Sequence, residues 1–202
     1  MAVGASSALP FVTVVTGVPR SGTSLMLQML AAGGIEPLTD GARRPDAHNP
    51  RGYFELEAVK RTRYDASWVE DAAGRAVKVI HALVTALPAD REYRLVWMQR
   101  PLEEVMASQR AMLARRGAGV DLLAPERLAA IFRAQLNEAE RWVAAQPGFR
   151  SLAINYHAVL EDPKAAAAAV DRFLGGGLDR EAMASVVDPR LHRQRSSDPT
   201  TA

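Results

Sequence analysis

The stretch Phe11-Val-Thr-Val-Val-Thr16-Gly17-Val-Pro19-Arg20-Ser21-Gly22-Thr23-Ser24-Leu25 decides how this chain is read. Residues 11–16 are aromatic or β-branched without a break, the composition of a strand buried on both faces of a parallel sheet. Gly17 and Gly22 then allow the backbone to fold back, so that successive N–H groups converge on one point. From Thr23 the pattern turns helical, and a first helical turn adds unpaired N–H groups and the positive end of its dipole. Strand, loop and helix in that order predict a cradle for a phosphate or a sulfate.

The two glycines have the spacing of a G-x-x-x-x-G-K-[ST] phosphate loop, but Thr23 stands in the lysine position and Arg20 is the loop's only cation. A P-loop kinase or ATPase needs that lysine on its terminal phosphates and an Asp on a neighbouring strand for magnesium. The next strand candidates, 76–80 and 94–98, run out into His81 and into Gln99-Arg100, so neither ends in a carboxylate. A cation at a strand end beside a phosphate loop predicts a second anion, bound by Arg100 through its fork of N–H donors. Ser108, two helical turns beyond Pro101, is placed to share it.

Working outward, residues 23–32 predict an apolar helix stopped by Gly33-Gly34. Residues 35–52 form a long aperiodic loop with Arg43, Arg44, Asp46, His48, Asn49 and Arg51, which reads as a lid facing a substrate. Aromatics return at Tyr53-Phe54, and a helix is expected from there to about Asp71. A short helix follows His81 to Leu87, and Pro101 opens a helix to about Arg116 with Glu103 and Glu104 favouring its N-terminus. After a glycine-rich loop at 117–124, an amphipathic helix is predicted from Pro125 to Gln146 and a strand at 151–154. Asp162 caps an alanine-rich helix to Leu174, and a short helix from Asp179 leads to a basic tail with Arg190, Arg193 and Arg195, read as solvated.

Strands separated by helices pair in parallel through right-handed crossovers. The expected architecture is therefore an α/β fold: a doubly wound, mostly parallel sheet with helices on both faces, P-loop NTPase-like, its ligand at the carboxyl ends of the strands. At 202 residues the chain is sized for a single domain over 1–202, with a flexible leader at 1–10 and a flexible tail from about 196. Lys and Arg number 25 against 23 Asp and Glu, a balance too even to argue for a nucleic-acid partner. The absence of cysteine excludes a disulfide scaffold and any thiolate nucleophile or metal site. No apolar run has the length of a membrane span and the N-terminus lacks a signal-peptide pattern, so a cytoplasmic protein with no membrane partner is expected.

In this arrangement the chain resembles the sulfotransferases that use 3'-phosphoadenosine-5'-phosphosulfate. Their 5'-phosphosulfate loop is similar to Pro19-Arg20-Ser21-Gly22-Thr23-Ser24, with Arg20 where cytosolic members usually carry lysine. Their 3'-phosphate motif, an arginine at a strand end and a serine eight positions on, is matched by Arg100 and Ser108 in Arg100-Pro-Leu-Glu-Glu-Val-Met-Ala-Ser108. The segment Asn155-Tyr156 to Asp162-Pro163, followed by a helix ending Arg172-Phe-Leu-Gly175, is similar to the family's tyrosine-bearing nucleotide contact, and Asn49-Pro-Arg-Gly52-Tyr-Phe-Glu55 resembles a segment of bacterial members. These matches span about 11–175 in the family's order.

The resemblance implies sulfuryl transfer from that nucleotide to a hydroxyl or amine of a small-molecule acceptor without a metal. Arg20 would stabilise charge on the leaving phosphate, and Thr23 and Ser24 would hold that phosphate. For the base that deprotonates the acceptor, two candidates stand: Glu55, in the bacterial-type segment, and His81, which with Lys78 resembles the lysine and histidine of cytosolic members at one residue longer spacing. Tyr156 would contact the nucleotide. A P-loop small-molecule or nucleotide kinase and a non-catalytic nucleotide-binding protein are the competing functions. The acceptor pocket would draw on 35–54 and 117–124, and in a chain shorter than many relatives it would be either open or completed by a homodimer.

Overall fold

The computed structural model describes residues 11–42, 52–115 and 124–188. The leader, the centre of the expected lid at 43–51, most of the glycine-rich loop and the basic tail with its three arginines lie outside the described residues.

Four parallel strands form one sheet in the order β2-β1-β3-β4: β1 Val12–Thr16, β2 Ala76–Lys78, β3 Tyr93–Gln99 and β4 Phe149–Asn155. All five β1 residues are buried, as an uninterrupted β-branched run requires when both faces are covered. Alternate residues point to opposite faces. Phe11, Val15, Val96, Met98 and Ile154 pack on one side under α1 (Thr23–Ala32), α4 (Tyr156–Glu161), α5 (Pro163–Phe173) and α6 (Arg180–Ser185). Val12, Val14, Val77, Leu95 and Trp97 pack on the other with Ala139 and Val143 of α3 (Pro125–Ala145) and with Val59, Trp68 and Val69. α2 (Leu102–Arg115) follows β3 and joins α3 through Val105, Met106 and Phe132. The doubly wound α/β sandwich is the observed fold.

Most helix boundaries follow their local chemistry. α1 ends where Ile35 N–H returns to the Leu30 carbonyl at 2.9 Å and Gly34 N–H to that of Ala31 at 3.2 Å. Asp162 caps α5 by accepting from Ala165 N–H at 2.9 Å, and Asp179 caps α6 from Ala182 N–H at 2.9 Å.

Three expectations need correction. The helix from Phe54 to Asp71 is two short 3-10 segments, Glu57–Arg61 and Ser67–Ala72. Side chains compete with the helical ladder between them: Thr62 Oγ1 donates to the Val59 carbonyl at 2.6 Å and accepts from Trp68 Nε1 at 3.1 Å, while Asp65 takes Ser67 N–H at 3.0 Å. The strand at 76–80 stops at Lys78, although Val79 N–H still reaches the Val15 carbonyl at 3.1 Å. The fourth strand runs from Phe149 straight into α4, because Asn155 Oδ1 accepts from His157 N–H at 2.8 Å and caps that unexpected helix.

The chain moves from β1 outward to β2, then crosses to β3 on the other side. That reversal opens a crevice at the carboxyl ends of β1 and β3. The glycine loop and Arg100 both lie there.

Candidate functional site

The loop after β1 is tightly boxed. A Cβ on Gly17 would sit 2.5 Å from Ser21 Oγ and 2.7 Å from the Met98 carbonyl oxygen; one on Gly22 would sit 2.5 Å from Tyr156 Cδ2. Gly22 caps α1 at φ 102°, with no side chain capping the helix and no acidic residue in its first turn. The leading N–H groups of α1 thus have no side-chain cap, and such a terminus can accept an anion. Ser21 Oγ is fully buried beneath the loop without a partner among the described residues. Thr23 is buried at the helix start and Pro19 is exposed on the loop.

Gly22→Ala is expected to remove anion binding. A side chain at that φ costs at least about 1 kcal/mol before the contact with the tyrosine ring is counted. The check is a thermal midpoint lowered by at least about 2 °C and no longer raised by sulfate.

Two groups of side chains converge on the cradle. Arg20, at φ 73°, donates through Nε to Ser108 Oγ at 3.1 Å. Its carbonyl accepts from Arg100 Nη1 at 3.2 Å. Arg100 is itself almost buried: Nε donates to Glu104 Oε2 at 2.9 Å, and the guanidinium carbon lies 4.6 Å from the Tyr156 ring centroid. His157 Nε2 reaches the same Glu104 oxygen at 3.1 Å. Burial raises the Tyr156 hydroxyl pKa, and the charges of Arg100 and Arg20 oppose that rise.

On the opposite side, Lys78 Nζ donates to Ser24 Oγ at 3.3 Å, to the Tyr53 carbonyl at 3.2 Å and to Glu55 Oε1 at 3.5 Å. Glu55 is presented by a strained segment, with Phe54 at φ 51°. Thr39 Oγ1 donates to the Glu55 carbonyl at 2.8 Å, and Asp40 accepts from Glu57 N–H at 2.6 Å. That backbone bond holds the Asp40 carboxyl below its ordinary pKa. The fold thus brings Ser24, Lys78 and Glu55 to one flank of the α1 N-terminus, and Arg20, Ser108, Arg100 and Tyr156 to the other.

His81 is placed differently. It is only 2% exposed, with Nδ1 3.3 Å from the Gly17 carbonyl and Nε2 2.8 Å from Gln135 Oε1. Its ring stands edge-on to Phe132 at 5.5 Å between centroids. Burial lowers its pKa.

Glu104, Tyr53, Gln135 and His157 complete these clusters, and none of them is a site candidate in the sequence reading. Glu104 was readable in part, because Arg100 and Glu104 are i and i+4 on one helical face. The others had no local signal: each meets its partner from a distant element. Among the described residues no three His, Asp or Glu side chains converge as a metal site would require, and no helix is long and apolar enough to cross a membrane.

No family model matches this chain, and no curated protein does. Among solved structures it is similar to the sulfotransferase domain from the curacin biosynthetic pathway, at 14% identity and TM-score 0.55 over 92% of this chain and 90% of that one. It is also similar to the sulfotransferase domain from the Synechococcus PCC 7002 olefin synthase, at 17% identity and TM-score 0.52 over 95% and 89%. The chain shares the fold of sulfotransferase domains.

Proposed function

We propose that this protein transfers a sulfuryl group from 3'-phosphoadenosine-5'-phosphosulfate to a hydroxyl or amine of a small-molecule acceptor. The observation that carries this reading is the placing of three cations at two points of the switch region, Lys78 beside Glu55 and Arg20 with Arg100 beside Glu104. An uncapped helix N-terminus is flanked by Arg20 and Lys78, with Arg100 held behind it against Tyr156. A nucleotide with charge at both its 5' and 3' positions fits two such points better than a nucleotide triphosphate fits a loop without its lysine.

In the proposed reaction the acceptor oxygen or nitrogen forms a bond to sulfur as the bond from sulfur to the 5'-phosphate oxygen breaks, and that oxygen keeps the electron pair. The acceptor's proton goes to Glu55, and the bisphosphate nucleotide leaves. Thr23 and Ser24 hold the 5'-phosphate through backbone N–H and hydroxyl groups. Arg20 meets the charge that grows on the bridging oxygen, and Lys78 holds both Ser24 and Glu55 in place. Arg100, Ser108 and Tyr156 receive the 3'-phosphate end, in the orientation set by Glu104.

The test is ligand-dependent stability. Without magnesium, 3'-phosphoadenosine 5'-phosphate at a hundredfold excess over its Kd is expected to raise the thermal midpoint by about 5 °C or more. ADP, which leaves the Arg100 cluster unused, should raise it much less. Equal stabilisation by Mg-ATP would favour the kinase. Stabilisation by the bisphosphate with no transfer to any hydroxyl or amine in a broad panel would favour a binding protein.

A further inference from the structure

We infer that His81 is a positioning residue of the anion loop, held by Gln135, and that it takes no proton from the acceptor. The positioning role stands on the geometry of the Gly17–Ser24 loop; that the ring takes no proton from the acceptor rests on the proposed transfer. The Gly17 carbonyl lies where β1 enters that loop, and it receives two groups from one residue: the His81 backbone N–H at 3.2 Å and the ring Nδ1 at 3.3 Å. A carbonyl only accepts, so Nδ1 carries a proton.

The other ring nitrogen faces Gln135, 2.8 Å away. Either an imidazolium donates to the amide oxygen, or the amide is turned to present its NH2 to a neutral ring. Burial to 2% exposure favours the neutral ring. In both states neither nitrogen is left with a lone pair for an acceptor molecule. A general base must reach the proton it removes, and this ring is spent on the loop and on α3. Phe132, also on α3, fixes the ring plane. The interaction therefore ties the glycine turn to α3, the helix packed on that face of the sheet. The Gly17 turn has little freedom of its own, since Ser21 and the Met98 carbonyl crowd it from the other side.

Three variants of the full chain test this. His81→Asn keeps an N–H donor near Nδ1 and abolishes any basic ring nitrogen. His81→Leu removes the donor, and Gln135→Leu keeps the ring but frees it. His81→Asn is expected to lower kcat less than about fivefold and to raise the nucleotide KM about three- to tenfold, whereas removal of a general base costs about 10²–10⁴-fold in kcat. Gln135→Leu should raise the nucleotide KM to a similar degree and leave the shape of the pH–rate profile unchanged, which carries the test if His81→Leu does not fold. A hundredfold loss of kcat in His81→Asn with the nucleotide KM unmoved would overturn the inference.

A second readout needs no reaction at all. In ligand-free protein the Ser21 amide bonds the Val18 carbonyl and the Met26 amide bonds that of Gly22. Their hydrogen exchange should be at least about tenfold faster in His81→Leu and Gln135→Leu than in the parent protein, with His81→Asn between. Equal rates in all four proteins would reject the positioning role even if no sulfuryl transfer is ever detected, and failure of the nucleotide to bind the parent protein would reject only the proposed function.

Discussion

Replacing Arg20 by methionine is expected to lower kcat for sulfuryl transfer by about 10²–10³-fold while raising the nucleotide KM less than tenfold. Methionine keeps an unbranched stem and removes only the charge and its donors. The split between kcat and KM follows from where charge develops. As the sulfur–oxygen bond breaks, negative charge grows on the bridging oxygen, and only contacts stronger in that state than in the bound substrate accelerate the step. Backbone N–H groups of the loop serve both states; Arg20 is the loop's only side-chain cation. Its backbone occupies the left-handed region at φ 73°, which costs a non-glycine residue on the order of 1 kcal/mol. The bond from Arg100 to its carbonyl holds that conformation. Arg20→Lys restores the charge but not the fork that reaches Ser108, so a loss within about tenfold is expected. A methionine variant with unchanged kcat and a raised KM would make Arg20 a ground-state anchor only.

How the fold was legible in the sequence is clearest at β1 and β3, where β-branched and aromatic runs coincide with buried parallel strands. Pro125 and Pro163 opened α3 and α5 as expected. Periodicity failed over 57–72, where Thr62 and Asp65 bond to nearby groups instead of continuing a helix, and such competition is invisible to a pattern of apolar positions. It also missed α4, although Asn155 carried the signal of a cap. The fourth strand therefore flows into a helix whose first residue is Tyr156.

The site divides in the same way. The loop was readable because glycine spacing is a local property. The Lys78–Glu55 contact joins a strand end to a segment pinned by Thr39 and Asp40, so no window of sequence contains it. The placing of His81 shows the limit of spacing as evidence. Its position after a strand beside the loop is compatible with a base, but the burial and the two ring partners that bear on its role come from Gly17 and Gln135.

Arg100→Leu is expected to destabilise the protein by about 3–5 kcal/mol, a fall in thermal midpoint of roughly 6–20 °C. The side chains of Arg100 and Glu104 are 6% and 2% exposed, so removing the guanidinium leaves a buried carboxylate without the Nε donor 2.9 Å away. A loss of nucleotide binding in that variant alone would be ambiguous, because the loop also loses the donor to the Arg20 carbonyl. The double variant Arg100→Leu/Glu104→Leu removes the stranded carboxylate but still lacks that donor, so ADP, which needs the loop and not the 3' cluster, reports whether the loop keeps its shape. Replacing a buried ion pair by apolar side chains of similar volume is often neutral or stabilising, so the midpoint should return to within a few degrees of the parent protein. Stabilisation by 3'-phosphoadenosine 5'-phosphate should not return with it. ADP should then stabilise parent and double variant alike, because the 5' end of the nucleotide uses the loop and Arg20. If the double variant recovers both its midpoint and its preference for the bisphosphate, Arg100 serves only as the partner of Glu104 and the second anion is bound elsewhere.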